Sequence, residues 1–298
     1  MFRWLALGSI AVGCGGDPAT VDAPIDPGPR CDPTGAFGAP ELIASLSSDL
    51  DDATARLSPD ELTIVFGRRT GNFYDLWTSA RPSIDEPFAA PSLMTSVNSV
   101  NNEIWPSLSP DGLTLMFDAD RGTPGTYRIW SSTRTSTTAP FGPPSPRTEL
   151  LPNELHPNLP TDRAIYFTSG ARPGLGGGDI WRVDISETGA ISVPVAVVGG
   201  VNTASDEVTP AVTSDERQIF FRRTTGAAPN PLEDDIYTAS RSTAQDGWGP
   251  SAQVPSLSMP GLSETPNWVS PDGCHLYLHA TMAAGPLRNN LYVARRSL

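Results

Sequence analysis

Lysine is absent from this chain: all 20 basic residues are arginine, set against 33 acids for a formal net charge of −13. A lysine-free, acidic surface is a poor electrostatic match for nucleic acid or for anionic lipid headgroups, so neither is expected as a partner. Histidine and cysteine are scarce, with 3 of each. His275, His279 and Cys274 lie close in sequence, but their spacing fits no standard zinc pattern and lacks a fourth ligand, so no metal and no cofactor is expected. Neither Gly-x-Ser-x-Gly nor His-Glu-x-x-His occurs, which removes two common hydrolase signatures. No apolar run approaches the roughly 20 residues a membrane-spanning helix needs. What the chain has in quantity is turn formers: 27 Gly and 31 Pro, with 7 Trp, 10 Phe and 6 Tyr available for a core. That balance argues for many short elements and against long helices.

The chain begins MFRWLALGSIAVGC, in which Arg3 precedes a short apolar run and small residues lead into Cys14. This fits a signal peptide. The ending Ala11-Val12-Gly13-Cys14 resembles a bacterial lipobox, although Ala11 stands where Leu is commoner. That resemblance implies cleavage after residue 13 and lipid on the Cys14 thiol, hence a membrane partner reached through an anchor. Gly15, rather than Asp, follows the cysteine and favours the outer membrane of the cell envelope. The stretch 14–36 is rich in Pro, Gly and Asp, has little to bury, and reads as a tether.

Beyond it a motif recurs. Leu57-Ser58-Pro59-Asp60 returns as Leu108-Ser109-Pro110-Asp111, Leu159-Pro160-Thr161-Asp162, Val212-Thr213-Ser214-Asp215 and Val269-Ser270-Pro271-Asp272. An acid precedes each copy: Asp52, Glu103, Glu154, Glu207 and Glu264. A short apolar run follows each, then an aliphatic–aromatic pair: Leu76-Trp77, Ile129-Trp130, Ile180-Trp181, Ile236-Tyr237 and Leu291-Tyr292. The runs are apolar at adjacent positions (Ile64 with Val65, Leu115 with Met116), so both faces of these strands must be covered. The pattern has departures: the third copy lacks the Ser-Pro-Asp-Gly wording, and the fifth has one extra residue between Pro266 and Asp272.

The Ser-Pro-Asp-Gly turn, the acid before it and the Asp-(Ile/Leu)-(Trp/Tyr) after it resemble the WD40-like propeller repeat of the TolB family. The resemblance implies an all-β fold over 37–298, a five-bladed β-propeller of four-stranded antiparallel blades. Fourth strands are expected at Phe88-Ala89-Ala90-Pro91, Phe141-Gly142-Pro143-Pro144 and Trp248-Gly249-Pro250. A matching segment, Phe37-Gly38-Ala39-Pro40, stands before the first repeat, and the last repeat stops after its third strand. The N-terminal strand is therefore expected to pair with the last blade and close the ring. That closure would bring Cys31 within reach of Cys274, so a disulfide is expected, with two unrelated thiols as the alternative.

The same resemblance places Asp52, Glu103, Glu154, Glu207 and Glu264 at the starts of the innermost strands, where they could crown the central funnel or accept backbone hydrogen bonds. Asp75, Asp179 and Asp235 are read as structural, with Arg68, Arg69, Arg172 and Arg223 as their partners. His156 is expected to be a surface or packing residue, and the Gly174–Gly178 run a hairpin turn. No catalytic constellation emerges. The expectation is a monomeric, non-catalytic envelope protein binding another envelope protein or a cell-wall glycan; the alternative is a glycan-acting hydrolase with carboxylates in the funnel.

Overall fold

Short apolar runs punctuated by Pro, Asp and Gly form strands because no stretch is long enough, or free enough of breakers, to nucleate a helix. The computed structural model describes residues 30–224, 234–282 and 288–298. Within them the fold is all-β, with one helical turn, Pro255–Leu257. Residues 1–29, including Cys14 and the signal-peptide reading, lie outside the described residues.

Five four-stranded antiparallel sheets make five blades. Their first strands are Asp51–Leu57, Glu103–Leu108, Glu154–Thr161, Asp206–Val212 and Leu262–Val269, and these neighbour one another around the central axis. The second strands, Thr63–Thr70, Thr114–Ala119, Ala164–Ser169, Gln218–Thr224 and His275–Met282, carry the continuous apolar runs. Each run is shared between two interfaces. In blade 1, Ile64 and Phe66 pack with Tyr277, Leu291 and Val293 of blade 5, while Val65 packs with Leu115 and Phe117 of blade 2. Five such apolar clusters, one per pair of neighbouring blades, form a ring of cores in place of a single centre.

The ring closes with its own N-terminus. Glu41–Leu42 pairs antiparallel with Asn289–Arg295, in the register Glu41↔Val293 and Leu42↔Tyr292. The fourth strands lie a few residues later than their aromatic markers: Ser92–Leu93 follows Phe88, Ser145–Pro146 follows Phe141, and Ala252–Gln253 follows Trp248. The aromatic residues themselves are buried anchors. Phe37, Phe88, Phe141 and Trp248 lie beneath the guanidinium groups of Arg296, Arg81, Arg134 and Arg241, 4.2–4.5 Å from ring centre to charge. Trp248–Pro250 forms a strand as well, paired in parallel with Gly199–Gly200.

Docking onto the last blade begins before residue 37. Cys31 and Cys274 form a disulfide with a Cα–Cα distance of 5.6 Å, and the Asp32 N–H donates to the Ser297 carbonyl. Arg30 donates to Asp272 (2.6 Å) and to Glu61 of blade 1 (2.7 Å), so the same segment ties the last blade to the first. Glu61 also receives the Tyr277 hydroxyl and lies 2.6 Å from His275 Nδ1.

The departures in blades 3 and 5 have local causes. In blade 3, pairing continues to Thr161↔Ala164, which leaves room only for the tight turn Asp162-Arg163, without the Ser–Asp hydrogen bond seen in blades 1, 2 and 5. In blades 1 to 4 the first strand bulges at Thr54, Trp105, His156 and Thr209, all at positive φ between 55° and 59°. Proline cannot adopt positive φ, so in blade 5, where Pro266 takes this place, the bulge moves one residue on to Asn267.

Candidate functional site

Two sets of polar side chains compete for a functional role: the repeated acids and an unrepeated group on the axis. The acids do not crown a funnel. Asp52, Glu103, Glu154 and Glu207 are fully buried, and Glu264 is 1% exposed. Each accepts a backbone N–H from the loop ahead of its strand, given by Ser48, Ser99, Leu151, Thr203 and Met259 in turn. Four of them also meet an arginine: Arg68 on Asp52 (2.5 Å), Arg121 on Glu103 (2.8 Å), Arg172 on Glu154, and Arg223 on Glu207 (2.7 Å).

Those guanidinium groups lie in turn against the aromatic of the third strand, Trp77, Trp130, Trp181 and Tyr237. The recurring acid and the recurring aromatic are thus the two ends of one buried unit, joined by an arginine. Arg68, Arg172 and Arg223 serve these acids rather than Asp75, Asp179 and Asp235. Asp75 instead accepts from Thr70, Asp179 from the Leu175 and Gly176 N–H groups, and Asp235 from Ser258. In blade 5, Ala280 faces Glu264 in the register where arginine faces Asp52 and Glu207. With burial and Asp235 opposing its charge and no ion-paired cation among the described residues, the Glu264 carboxyl is pushed up to about 7.

The axis is different. Each bulge frees a backbone N–H that must find a partner. The Trp105 N–H donates to the Thr54 hydroxyl (3.3 Å), His156 to the Asp118 carboxyl (2.8 Å), and Thr209 to the Thr168 hydroxyl (3.1 Å). With its amide turned to suit both neighbours, Asn267 accepts from Ala55 (3.2 Å) and donates to His279 Nδ1 (2.8 Å). The Trp105 ring lies against His156 and His279, with centroids 4.4 and 5.5 Å apart. Arg56, 2% exposed, reaches from blade 1 to the Pro210 carbonyl of blade 4 (3.2 Å).

Burial sets the charges of this group. It holds Asp118 well above the ordinary carboxylate range, with Arg56 and the His156 N–H only partly offsetting it. It pulls His156 and His279 down to about 3, helped by the charge of Arg222, and lowers Arg56 to about 9. At neutral pH the core therefore holds two neutral imidazoles and an arginine, beside a carboxyl that burial makes costly to ionise.

Two cavities approach the axis from opposite ends of the first strands. One, of about 390 Å³, enters between blades 1 and 2, is lined at its mouth by Arg69, Tyr74 and Tyr127, and reaches Ile104, Trp105 and Asp118. Asp118 is the sole acid lining it among the described residues. The other, of about 320 Å³, is ringed by Pro59, Pro110, Pro160 and Pro271 of the repeat turns, with Leu57, Leu108 and Leu159, and has no titratable group among the described residues that line it.

Sequence reading marked His156 and His279 only as packing residues or poor metal ligands and passed over Arg56, Asp118 and Arg222. The signal was present as a break in the repeat. Asp118 occupies the second-strand position that is Gly67, Thr168, Arg222 and His279 in the other blades.

No protein-family profile matches the chain, and no curated protein matches it in sequence. Solved structures do match. TolB from Acinetobacter baumannii aligns at a TM-score of 0.50 and 17% identity over 85% of this chain, which spans only 57% of that protein. An α-L-arabinofuranosidase from Podospora anserina, solved with cellotriose, aligns at 0.57 and 12% identity over 89% of this chain and 98% of its own. A GH43_1 enzyme from Xanthomonas citri aligns at 0.55 and 14% identity over 86% and 90%. At such identities the likeness is one of fold: the chain is a five-bladed β-propeller, and it aligns over most of its length with TolB and with glycoside hydrolases.

Proposed function

We propose that this protein is a non-catalytic propeller of the cell envelope, held at the membrane by lipid on Cys14, that binds an envelope protein or a cell-wall glycan. One observation carries the non-catalytic part: among the described residues, the two cavities that approach the axis are lined by a single acid between them, Asp118. Glycoside hydrolysis ordinarily needs two carboxyl groups, about 5–10 Å apart, in environments that push their pKa values apart. The five repeated acids cannot supply the second, because each is buried and hydrogen-bonded to the backbone, four of them beside an arginine.

The test is incubation of the purified protein with a glycan panel, reading both binding and release of reducing ends. Binding without release is expected. Release that disappears in Asp118→Asn would instead establish the hydrolase reading. That reading is favoured by one feature, a buried carboxyl raised above the ordinary carboxylate range, the direction a general acid needs. The anchor is tested separately: Cys14→Ser is expected to abolish incorporation of labelled fatty acid and release the protein from the membrane fraction.

A further inference from the structure

Whatever the fold needs, it needs in every blade, so residues that serve the fold recur. Blades 1, 2, 4 and 5 share one device at the seam with the preceding blade. Beyond the third strand, or at its end, stands an arginine, Arg81, Arg134, Arg241 or Arg296, whose backbone N–H donates to Leu62, Leu113, Arg217 or Cys274 just past the repeat turn. Its guanidinium lies over the aromatic anchor and donates to a turn carbonyl, that of Glu61, Gly112, Glu216 or Gly273. Blade 3 has lost all three parts. Ile185, placed by the same N–H donation to Arg163, stands where the arginine would be. The Ser192 N–H donates to Asp184 as Ala89 does to Ala80 and Gly142 to Thr133, which puts Ile191 in the place of Phe88 and Phe141. The turn is also one residue shorter, so the position of Glu61 and Gly112 is missing.

Isoleucine is too short to reach where a guanidinium would lie, and the space it leaves is open. A cavity of about 530 Å³, larger than either axial one, occupies this seam between blades 2 and 3. It is lined by Asp111, Thr133 and Arg147 of blade 2 and by Asp162, Ile185 and Glu187 of blade 3, among others. Two of its charges already answer others: Arg147 pairs with Glu149 (3.2 Å) and Arg163 with Glu187 (3.4 Å). Asp111 and Asp162 have no ion pair among the described residues. Partial burial and the neighbouring charge of Asp111 raise the Asp162 carboxyl above its ordinary range, and Arg163 offsets this only in part. Arg147 breaks the repeat as well, standing where Ile43, Met94, Val197 and Val254 make the same backbone hydrogen bond. Its Nε is shielded from solvent and has no partner among the described residues.

We propose that the seam between blades 2 and 3 is a docking site for an arginine side chain of a partner protein, which supplies from outside the guanidinium that the other four blades carry themselves. The repeat itself shows the occupant, since the same place holds an arginine in every other blade. Asp111 and Asp162 give the incoming charge what it lacks at the other seams, two carboxylates free of a partner cation. A planar guanidinium fork meets a carboxylate and a turn carbonyl together, as Arg241 meets Glu216 at the seam of blades 3 and 4, where a lysine point charge would not. The Arg147 Nε is left to donate to a backbone carbonyl of the incoming segment, which favours an arginine carried on a peptide. The proposal rests on the reading of the propeller as a binder of an envelope protein and names the surface and the partner's chemistry.

The experiment is a ligand-observed NMR titration of the detergent-solubilised full-length protein with an acetylated, amidated Ala-Arg-Ala peptide and its lysine and citrulline counterparts. Citrulline keeps the shape of arginine without its charge. Saturable binding of the arginine peptide is expected, with the other two weaker by about ten-fold or more. Ile185→Arg fills the space from within the chain and is expected to weaken binding by about ten-fold or more. Asp162→Asn, at an exposed turn position where folding is not at stake, is expected to weaken it by about three-fold or more. Absence of arginine-peptide binding, equal binding of the lysine or citrulline peptide, or affinity unchanged in Asp162→Asn or in folded Ile185→Arg would each overturn the proposal. The two readings fail separately. Release of reducing ends from the glycan panel defeats the non-catalytic function and leaves arginine docking at this seam intact, whereas absence of arginine binding defeats the seam site and leaves the envelope role to the glycan.

Discussion

Blades 1 to 4 and blade 5 solve the same problem with different means. In the first four, a buried acid, an arginine and an aromatic form one unit, and the charge of the acid is met inside its own sheet. Blade 5 keeps the acid, Glu264, and the aromatic, Tyr292, but has Ala280 where the cation would stand. It is held instead by the Cys31–Cys274 disulfide and by the Arg30, Glu61 and His275 cluster at the seam with blade 1. The closing blade is assembled from two distant ends of the chain, so a covalent bond across 243 residues does there what local pairing does elsewhere. The difference teaches that the repeated acid belongs to the architecture and becomes a liability once its arginine is gone.

The largest expected effect is at the seam. Replacing Cys31 and Cys274 by Ser should lower stability by up to about 5 kcal/mol through restored chain entropy, read as a fall in denaturant midpoint. An unchanged midpoint would mean that the non-covalent seam suffices. Next, Glu103→Ala leaves Arg121 and its neighbours without a counter-charge in a buried setting and should cost about 3–5 kcal/mol. A loss no greater than that of Glu264→Ala would dissolve the contrast between the blades.

Third comes the pH dependence of Glu264. Its folded-state value, about 7, lies above the ordinary 4.5, so the folded protein holds this proton more tightly than the unfolded chain. Its contribution to stability is fullest below pH 4.5, is lost as pH rises through 7, and amounts to about 3 kcal/mol overall. Subtracting the stability profile of Glu264→Gln from that of the parent should leave this falling curve; a flat difference would show that Glu264 has found a cation. Smallest is Asp118→Asn, which keeps shape and removes a charge that burial already disfavours, and should change stability least of the four. A loss as large as that in Glu103→Ala would place Asp118 among the structural acids.

Much of this was legible in the sequence. Turn wording fixed the number of blades, and the surplus strand at Phe37 with the missing one after Leu291 fixed the closure. The paired fourth strands lie a few residues beyond their aromatic markers, because an anchor need not itself lie in the paired strand. A position at the start of an inner strand does not say where the side chain goes, and the acids turn into their blades rather than into a funnel. Arg68 illustrates the same limit: it stands opposite both Asp52 and Asp75, and only burial decides between them. Asp52 is wholly buried and requires the charge, whereas half-buried Asp75 is served by a hydroxyl.

By itself, the sequence determined the repeat, its count and the way its ends meet, since these follow from periodicity and from which strands lack a partner. Tertiary structure alone decided what the charged residues do. Arg56, Asp118, His156 and Arg222 come from four different blades and converge only because five first strands share one axis. The electrostatics of that meeting point depend on how much water the closed ring excludes, a quantity no local stretch of sequence contains.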